Sequence, residues 1–370
     1  MFSPMPYLEW IEGRPEEASY DLGSSDLRRR TPTDDVVPEQ LVDLPNPTDG
    51  TTLRAQIAAT YGVEETEVLV TAGATHANFL TAATVLGLGE TDEGEGEEPP
   101  EQQILVEKPG YQPLVATPEA VGARVDRFLR LAEDDYALDP SRVANAASDN
   151  LSLVTVTNRH NPTGRLTDRK SLAAVARAAA DAGGYLLVDE VYAPYVETAT
   201  NGQAFGGVTA AGLPNTIVTG SLTKFHGLGG LRIGWLIGPE SFVRRAKATT
   251  MHVPAVAQPS RALARRALHN DETLVADSRS LLRENHERLT TFVEERTDLS
   301  GAVYEGSSFA LLSHDTADGD TVAERAWEEG VLVVPGRFFD QGESFRLSLG
   351  RSPEEIDEGL SVLGDVLASL

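Results

Sequence analysis

Thr216-Ile217-Val218-Thr219-Gly220-Ser221-Leu222-Thr223-Lys224-Phe225-His226-Gly227-Leu228-Gly229-Gly230-Leu231-Arg232-Ile233-Gly234-Trp235-Leu236-Ile237-Gly238 begins as a buried strand and ends in glycine. Ile217 and Val218 make the apolar run. Ser221, Thr223 and Lys224 follow it, and Arg232 stands eight residues on. Lysine is rarely buried without a reason. One such reason is covalent, because a lysine amine forms a Schiff base with a carbonyl. The chain has four lysines (Lys108, Lys170, Lys224 and Lys247) against 27 arginines. Arginine cannot form an imine and does not replace lysine in that role, so the lysine at 224 is informative. The plain alternative is a surface lysine in a loop.

Outward from this stretch, short apolar strands alternate with helices. Val68–Val70 reads as a strand, and Thr71-Ala72-Gly73-Ala74-Thr75-His76 opens a helix to about Leu86. A small-residue turn at a helix N-terminus leaves free N–H groups that suit a phosphate, though a plain cap looks the same. Ile104–Val106 is a strand leading to Pro109-Gly110-Tyr111. Leu151–Thr157 is another, ending in Asn158-Arg159-His160-Asn161-Pro162-Thr163-Gly164. A helix over 171–182 precedes the strand Tyr185–Val188 and then Asp189-Glu190-Val191-Tyr192. This pattern predicts an α/β fold, a mostly parallel central sheet with helices on both faces. Asn161, Asp189 and Lys224 each follow the carboxyl end of a strand, the edge where ligands bind in such sheets. Singly, Asn161 and Asp189 would pass for helix caps and Tyr111 for a loop aromatic.

Toward the C-terminus, 257–296 reads as a long helix, and 302–312, 331–334 and 345–349 as strands. Ser352, Pro353 and Glu355 mark the start of a last helix. The division expected is a large domain over 45–285 and a smaller α+β domain built from 1–44 and 286–370. A helical candidate lies near 7–12, and Asp21-Leu22-Gly23-Ser24-Ser25 is a turn-like cluster that could present hydroxyls to a pocket. The acidic stretch 88–103 reads as a solvated loop.

Net charge is −26, from 57 acids and 31 bases. That disfavours nucleic acid, which wants a basic patch, and anionic membrane. Acids with so few lysines suggest a halophilic surface. At molar salt the Debye length falls to about 3 Å, so such a charge hardly repels itself. There is no cysteine, hence no disulfide or thiolate chemistry. The seven histidines show no metal-ligand spacing, so no metal is expected. The first residues lack a basic region followed by an apolar core, and no run is long enough to span a bilayer. A cytoplasmic protein is expected.

Gly73-Ala74, Tyr111, Asn161-Pro162-Thr163-Gly164, Asp189 with Tyr192, Ser221-Leu222-Thr223-Lys224, Arg232 and Arg346 occur in the order and spacing of a known family. Together they resemble the fold-type I pyridoxal-phosphate enzymes of the class I/II aminotransferase family, over nearly the whole chain. The resemblance implies pyridoxal 5'-phosphate as cofactor. Lys224 would hold it as an internal aldimine and shuttle the substrate proton, with Asp189 opposite the pyridine nitrogen. Asn161 and Tyr192 would hydrogen-bond the ring oxygen, and Tyr111 would cover its face. Gly73, Ala74, Ser221, Thr223 and Arg232 would take the phosphate. Arg346, inside an alternating strand, would clamp the substrate α-carboxylate, with Asn161 beside it; a structural salt bridge is its bland alternative.

The implied reaction moves an amino group from an α-amino acid to a 2-oxo acid through pyridoxamine phosphate, in a homodimer with the site near the subunit interface. Alternatives on the same cofactor are a lyase, a decarboxylase or a cyclase. A ligand-sensing module of a transcription regulator is a further one; the 45 or so residues before the large domain are neither basic nor helix-turn-helix-like. Pro45-Asn46-Pro47-Thr48-Asp49-Gly50 lacks the tyrosine with which many relatives reach the partner's phosphate. His76, His160 and His226 match no catalytic position.

Overall fold

The structure, a computed structural model, describes residues 4–29, 35–88, 101–192, 194 and 207–370. Most of the acidic stretch, 89–100, lies outside them. In chain order the strands are β1 (Tyr20–Asp21), β2 (Val68–Thr71), β3 (Gln103–Lys108), β4 (Arg124–Leu129), β5 (Leu151–Thr157), β6 (Tyr185–Asp189) and β7 (Thr216–Ser221). They continue with β8 (Gly234–Ile237), β9 (Leu299–Ser300), β10 (Phe309–His314), β11 (Val331–Leu332), β12 (Val334–Pro335) and β13 (Ser344–Ser348). A seven-stranded sheet runs β2-β8-β7-β6-β5-β3-β4. The run β4-β3-β5-β6-β7 pairs in parallel throughout, and β8 runs antiparallel to both of its neighbours, β7 and β2. The fold is therefore the α/β fold expected, with a mostly parallel sheet.

The central strands are buried on both faces, which is why they read as near-continuous apolar runs. Alternate residues serve opposite faces. Leu153, Leu187 and Ile217 pack with Ala77, Val85 and Phe242 on one side. Val154, Val188 and Val218 pack with Leu172, Val175 and Ala179 on the other. Each such side chain contributes roughly 1.5–3 kcal/mol.

Local chemistry sets the helix ends. Asp168 accepts from Ser171 N at 2.6 Å to start the helix Arg169–Asp181. Thr52 caps Leu53–Tyr61, and Gly62, at φ 65°, closes it in the left-handed conformation. Ser352 accepts from Glu355 N, with Pro353 in the first turn, as the sequence signals.

A four-stranded antiparallel sheet, β12-β13-β10-β9, carries Arg346, and β1 pairs with β11. A hydrophobic cluster joins Leu22, Leu289, Val322, Phe345 and Leu363 behind it. Among the described residues, no helix is long and apolar enough to cross a membrane.

Three element expectations need correction. The single helix over 257–296 is two, Gln258–His269 and Asp271–Glu294. Asn270 between them leaves helical dihedrals, and its amide donates to Pro45 O and Arg266 O instead. The strand expected from 302 begins at Phe309, because Ser307 N closes a turn on Tyr304 O and Gly306 takes φ 67°. The strand expected over 331–334 is two pieces, one pairing with β1 and one with β13.

Candidate active site

The carboxyl ends of β5, β6 and β7 deliver Thr157, Asp189 and Ser221 to one cavity of about 220 Å³. Of the residues singled out from sequence, Ala74, Tyr111, Asn161, Asp189, Tyr192, Ser221, Thr223, Lys224, Arg232 and Arg346 all line it. Gly73 stands just behind. It has φ 89°, and a Cβ there would lie 3.0 Å from Arg232 Nη2. β8 starts against the same turn, since a Cβ on Gly234 would meet Gly73 C at 2.5 Å. This close approach holds the exposed Arg232 next to the N-terminus of the helix Ala74–Leu88.

Asp189 is buried, and burial raises its carboxyl above the ordinary 3.8. Asn78 Nδ2 opposes this by donating to Oδ2 at 2.9 Å, and Val191 N donates to Oδ1 at 3.3 Å. Asn78 is itself oriented by Thr219, whose hydroxyl donates to its Oδ1 at 2.8 Å. Lys224 is half-buried, and desolvation lowers its amine below the ordinary 10.5, with Asp26 pulling the other way. Amine and carboxylate share one cavity without forming an ion pair. Neither has an ionic partner among the described residues.

Arg346 is 2% exposed. Nη1 donates to Asn161 Oδ1 at 2.8 Å and Nη2 to Gly23 O at 2.9 Å, while its Nε is buried without a hydrogen-bond partner. Its guanidinium stands 5.0 Å over the Phe339 ring. No carboxylate pairs with it among the described residues, so the bland alternative finds no support in them.

The N-terminal segment is strapped across these groups. Asp21 Oδ1 accepts from Gly23 N and Ser24 N at 3.1 and 2.9 Å. Ser25 Oγ bonds Tyr192 Oη at 2.9 Å, and Leu27 N donates to Lys224 O at 2.9 Å. Arg351 clasps the strap from the far end, through Asp21 Oδ2 at 2.5 Å and Asp26 O at 2.8 Å.

None of the three histidines lines the cavity. His160 is buried and held neutral by burial. Its Nε2 lies 3.0 Å from Pro109 O and its Nδ1 2.7 Å from Thr163 Oγ1. A carbonyl only accepts, so Nε2 carries the proton. The ring thereby joins the Asn161 loop to the Tyr111 loop. His76 Nδ1 accepts from Ala72 N at 3.1 Å, and His226 meets Asp271 at 3.2 Å.

Sequence reading missed Asn78, Thr75 and Tyr7, which also line the cavity. Asn78 had a signal: it stands one helical turn after Ala74, on the same face.

Next to Asp189, Glu190 is 1% exposed and pushed up to about 8, chiefly by burial. Its Oε1 accepts from Ala210 N at 2.6 Å, while Oε2 is buried without a hydrogen-bond partner. The folded protein holds this proton to about pH 8, whereas an unfolded glutamate releases it near 4.3. The group's contribution is complete below the lower value and is lost as pH rises to the upper one, by up to about 5 kcal/mol. Glu190→Gln should abolish that loss. Its thermal midpoint should exceed the parent's clearly at pH 9 and little at pH 5.

An amine and a buried carboxylate kept apart at the carboxyl edge of this sheet, with a helix N-terminus and an arginine beside them, would suit a group that carries an aldehyde, a ring nitrogen and a phosphate, as pyridoxal phosphate does. The fit is to these residues themselves: among the described residues Lys224, Asp189 and Arg232 form no ion pair, which leaves the amine for the aldehyde, the carboxylate for the ring nitrogen and the guanidinium for the phosphate. Comparison with known proteins agrees. The family model described as "Aminotransferase class I and II" matches residues 43–363, and the chain belongs to that family.

"Probable N-succinyldiaminopimelate aminotransferase DapC" of Mycobacterium tuberculosis is 29% identical over 335 residues, covering 84% of this chain and 79% of that protein. "HTH-type transcriptional regulator TauR" of Rhodobacter capsulatus is 30% identical over 317 residues, covering 81% of this chain and 60% of that protein. A PLP-dependent aminotransferase from Streptococcus suis superposes with a TM-score of 0.82 at 22% identity, covering 100% of this chain and 98% of that one. The chain is a pyridoxal-phosphate-dependent aminotransferase, acting between an amino acid and a 2-oxo acid.

Proposed function

We propose that Lys224 and Asp189 perform the transamination chemistry and that Arg346 selects α-carboxylates. What carries the reading is that Lys224 and Asp189 occupy one cavity unpaired. Two opposite charges left apart in a partly desolvated site are each kept for a third group. When bound, pyridoxal phosphate supplies an aldehyde and an electron-withdrawing ring that weakens bonds at the amino-bearing carbon.

The chain's own residues do the rest. Lys224 Nζ, its proton affinity lowered by burial, would hold the cofactor through its amine and would serve as the base that takes and returns the α-carbon proton. Asp189 would hold the ring nitrogen in its protonated form, since an adjacent anion favours the charged state, and Asn78 fixes the carboxylate for it. Asn161 and Tyr192 would donate to the ring oxygen, and Tyr111 would cover a ring face. Backbone N–H groups of Gly73 and Ala74, the hydroxyls of Ser221 and Thr223, and Arg232 would take the phosphate.

Arg346 is already aimed by Asn161 and Gly23, which leaves the rest of its donor fork for a carboxylate. Arg346→Ala should raise KM for amino acids about 100-fold, the worth of a charge-assisted pair, with cofactor retention unchanged. Equal losses of both would make it structural. A screen of amino acids without oxo acid, in high salt, tests the reaction itself. Spectral conversion of the cofactor with release of the 2-oxo acid supports transamination, whereas carbon dioxide or eliminated product points to the lyase, decarboxylase or cyclase alternatives.

The same reading includes a homodimer, supported by the exposed apolar Val36, Val42, Met251 and Val253 in segments adjoining the helix Gln258–His269. It includes a halophilic surface, supported by the charge of −26. It also includes the division at 45–285, supported by a hydrophobic cluster drawn wholly from residues outside that range.

A further inference from the structure

Glu107 and Arg130 form an ion pair in which both side chains are 0% exposed. Arg130 Nη1 donates to Glu107 Oε2 at 2.8 Å. Neither residue lines the cavity. Because the pair has no exposed surface within one protomer, a partner subunit does not reach it. Taking two charges out of water costs so much that well-packed apolar residues in their place are often as stable, or more so. The pair is therefore a weak stabiliser, and its use lies in what it holds.

It holds one loop by both ends. Glu107 lies in β3, whose pairing with β5 stops at Val106 and Thr155. Past that point Glu107 Oε1 takes over, accepting from Thr157 N at 2.6 Å. Arg130, just past β4, donates from Nη2 to Thr167 Oγ1 at 3.4 Å and from Nε to Tyr136 O at 2.8 Å. Asn158 joins the two ends to each other: its Nδ2 donates to Thr167 O at 3.1 Å, and its Oδ1 accepts from Thr167 N at 2.9 Å. The middle is held as well. His160 Nε2 donates to Pro109 O at 3.0 Å and lies 3.9 Å from Glu107 Oε2.

Asn161 sits inside this loop and is 4% exposed. Its Oδ1 accepts from Arg346 Nη1 at 2.8 Å, which leaves its Nδ2 for the ring oxygen. One amide thus serves both the substrate arginine and the cofactor. Misplacing such a group by about 1 Å costs on the order of a hundredfold in rate. We propose that the Glu107–Arg130 pair is a positioning device for Asn161, fixing the loop that sets this amide. The proposal rests on the assignment of Asn161 to the ring oxygen given above. The two are separable, because Asn161→Ala tests that assignment with the pair untouched.

The test is a pH titration of the bound cofactor's absorbance in the holoenzyme, in high salt. A hydrogen bond to the ring oxygen favours its anion. Asn161→Ala should therefore raise the midpoint by about one pH unit, a tenfold gain in proton affinity. Glu107→Gln combined with Arg130→Met removes both charges and leaves an amide oxygen for Thr157 N. It should raise the midpoint by about half a unit, roughly threefold, and add nothing once Asn161→Ala is present, since groups that act through one another do not add. A parent-like midpoint in the combined variant would overturn the proposal, and so would the same rise with and without Asn161. A lower thermal midpoint with the absorbance midpoint unmoved is what a merely structural pair gives, and it counts against the proposal equally. If the combined variant does not fold, Arg130→Lys decides. It keeps a cation for Glu107 but loses the fork to Thr167 and Tyr136, so it should raise the midpoint by a smaller step, and only with Asn161 in place; no rise would overturn the proposal. Asn161→Ala titrating like the parent would instead sink the assignment of Asn161, and the proposal with it.

Discussion

Lys224→Ala should lower turnover by at least about 10⁴-fold, the upper range for a group that serves as acid and base, and it removes the nucleophile besides. The substitution leaves the sheet intact, because the Lys224 contact that ties the strap is its backbone carbonyl, which accepts from Leu27 N. Lys224→Arg should do no better. Arginine keeps the charge but has no neutral amine at any working pH. The measurement is the single-turnover rate with a reactive amino acid, alongside the absorbance of the bound cofactor. A variant retaining a tenth of the parent's rate would show that another group moves the proton.

Asp189→Asn should lower kcat by about 10²- to 10³-fold, the usual cost of losing one preorganised electrostatic partner, with KM for the amino acid little changed. The substitution keeps the shape, and an amide oxygen can still accept from Asn78 Nδ2. The charge is lost together with the oxygen that accepts from Val191 N at 3.3 Å, a long contact, so the rate reports mainly the charge. The carboxyl is raised by burial, so the parent's rate should also fall on acidification as Asp189 takes up a proton, and that limb should be missing in the asparagine variant. A parent and variant with the same acid limb would assign it to another group.

Much of this was legible in the chain before folding. The doubly buried strands announce themselves as apolar runs, and polar residues just past their ends stand out because packing has no use for them there. Asn161, Asp189 and Lys224 were readable for that reason. Arg346 was readable because a guanidinium inside a strand of buried neighbours needs an anion.

Other parts depend on distance in space. Asn78 matters only because Thr219 and Asp189 arrive from other strands, and nothing local marks it beyond its helical spacing. Tyr7 sits in a proline-spotted segment of little periodicity, and its place is set by rings more than a hundred residues away. The break at Asn270 was missed because both flanks read as helix, and the amide that interrupts them is satisfied by Pro45, far off in sequence.

The strap has a consequence for how the enzyme comes to life. Gly23 awaits Arg346, and Asp21 and Asp26 await Arg351. During translation the strap leaves the ribosome before its partners, which follow it by 323 residues for Gly23 and Arg346 and by 330 for Asp21 and Arg351. A nascent chain can lay down its central sheet and still lack a finished pocket. The reactive amine is therefore enclosed only after Arg346 and Arg351 have emerged, and a change that disturbs the strap would damage catalysis in a protein that otherwise looks well folded.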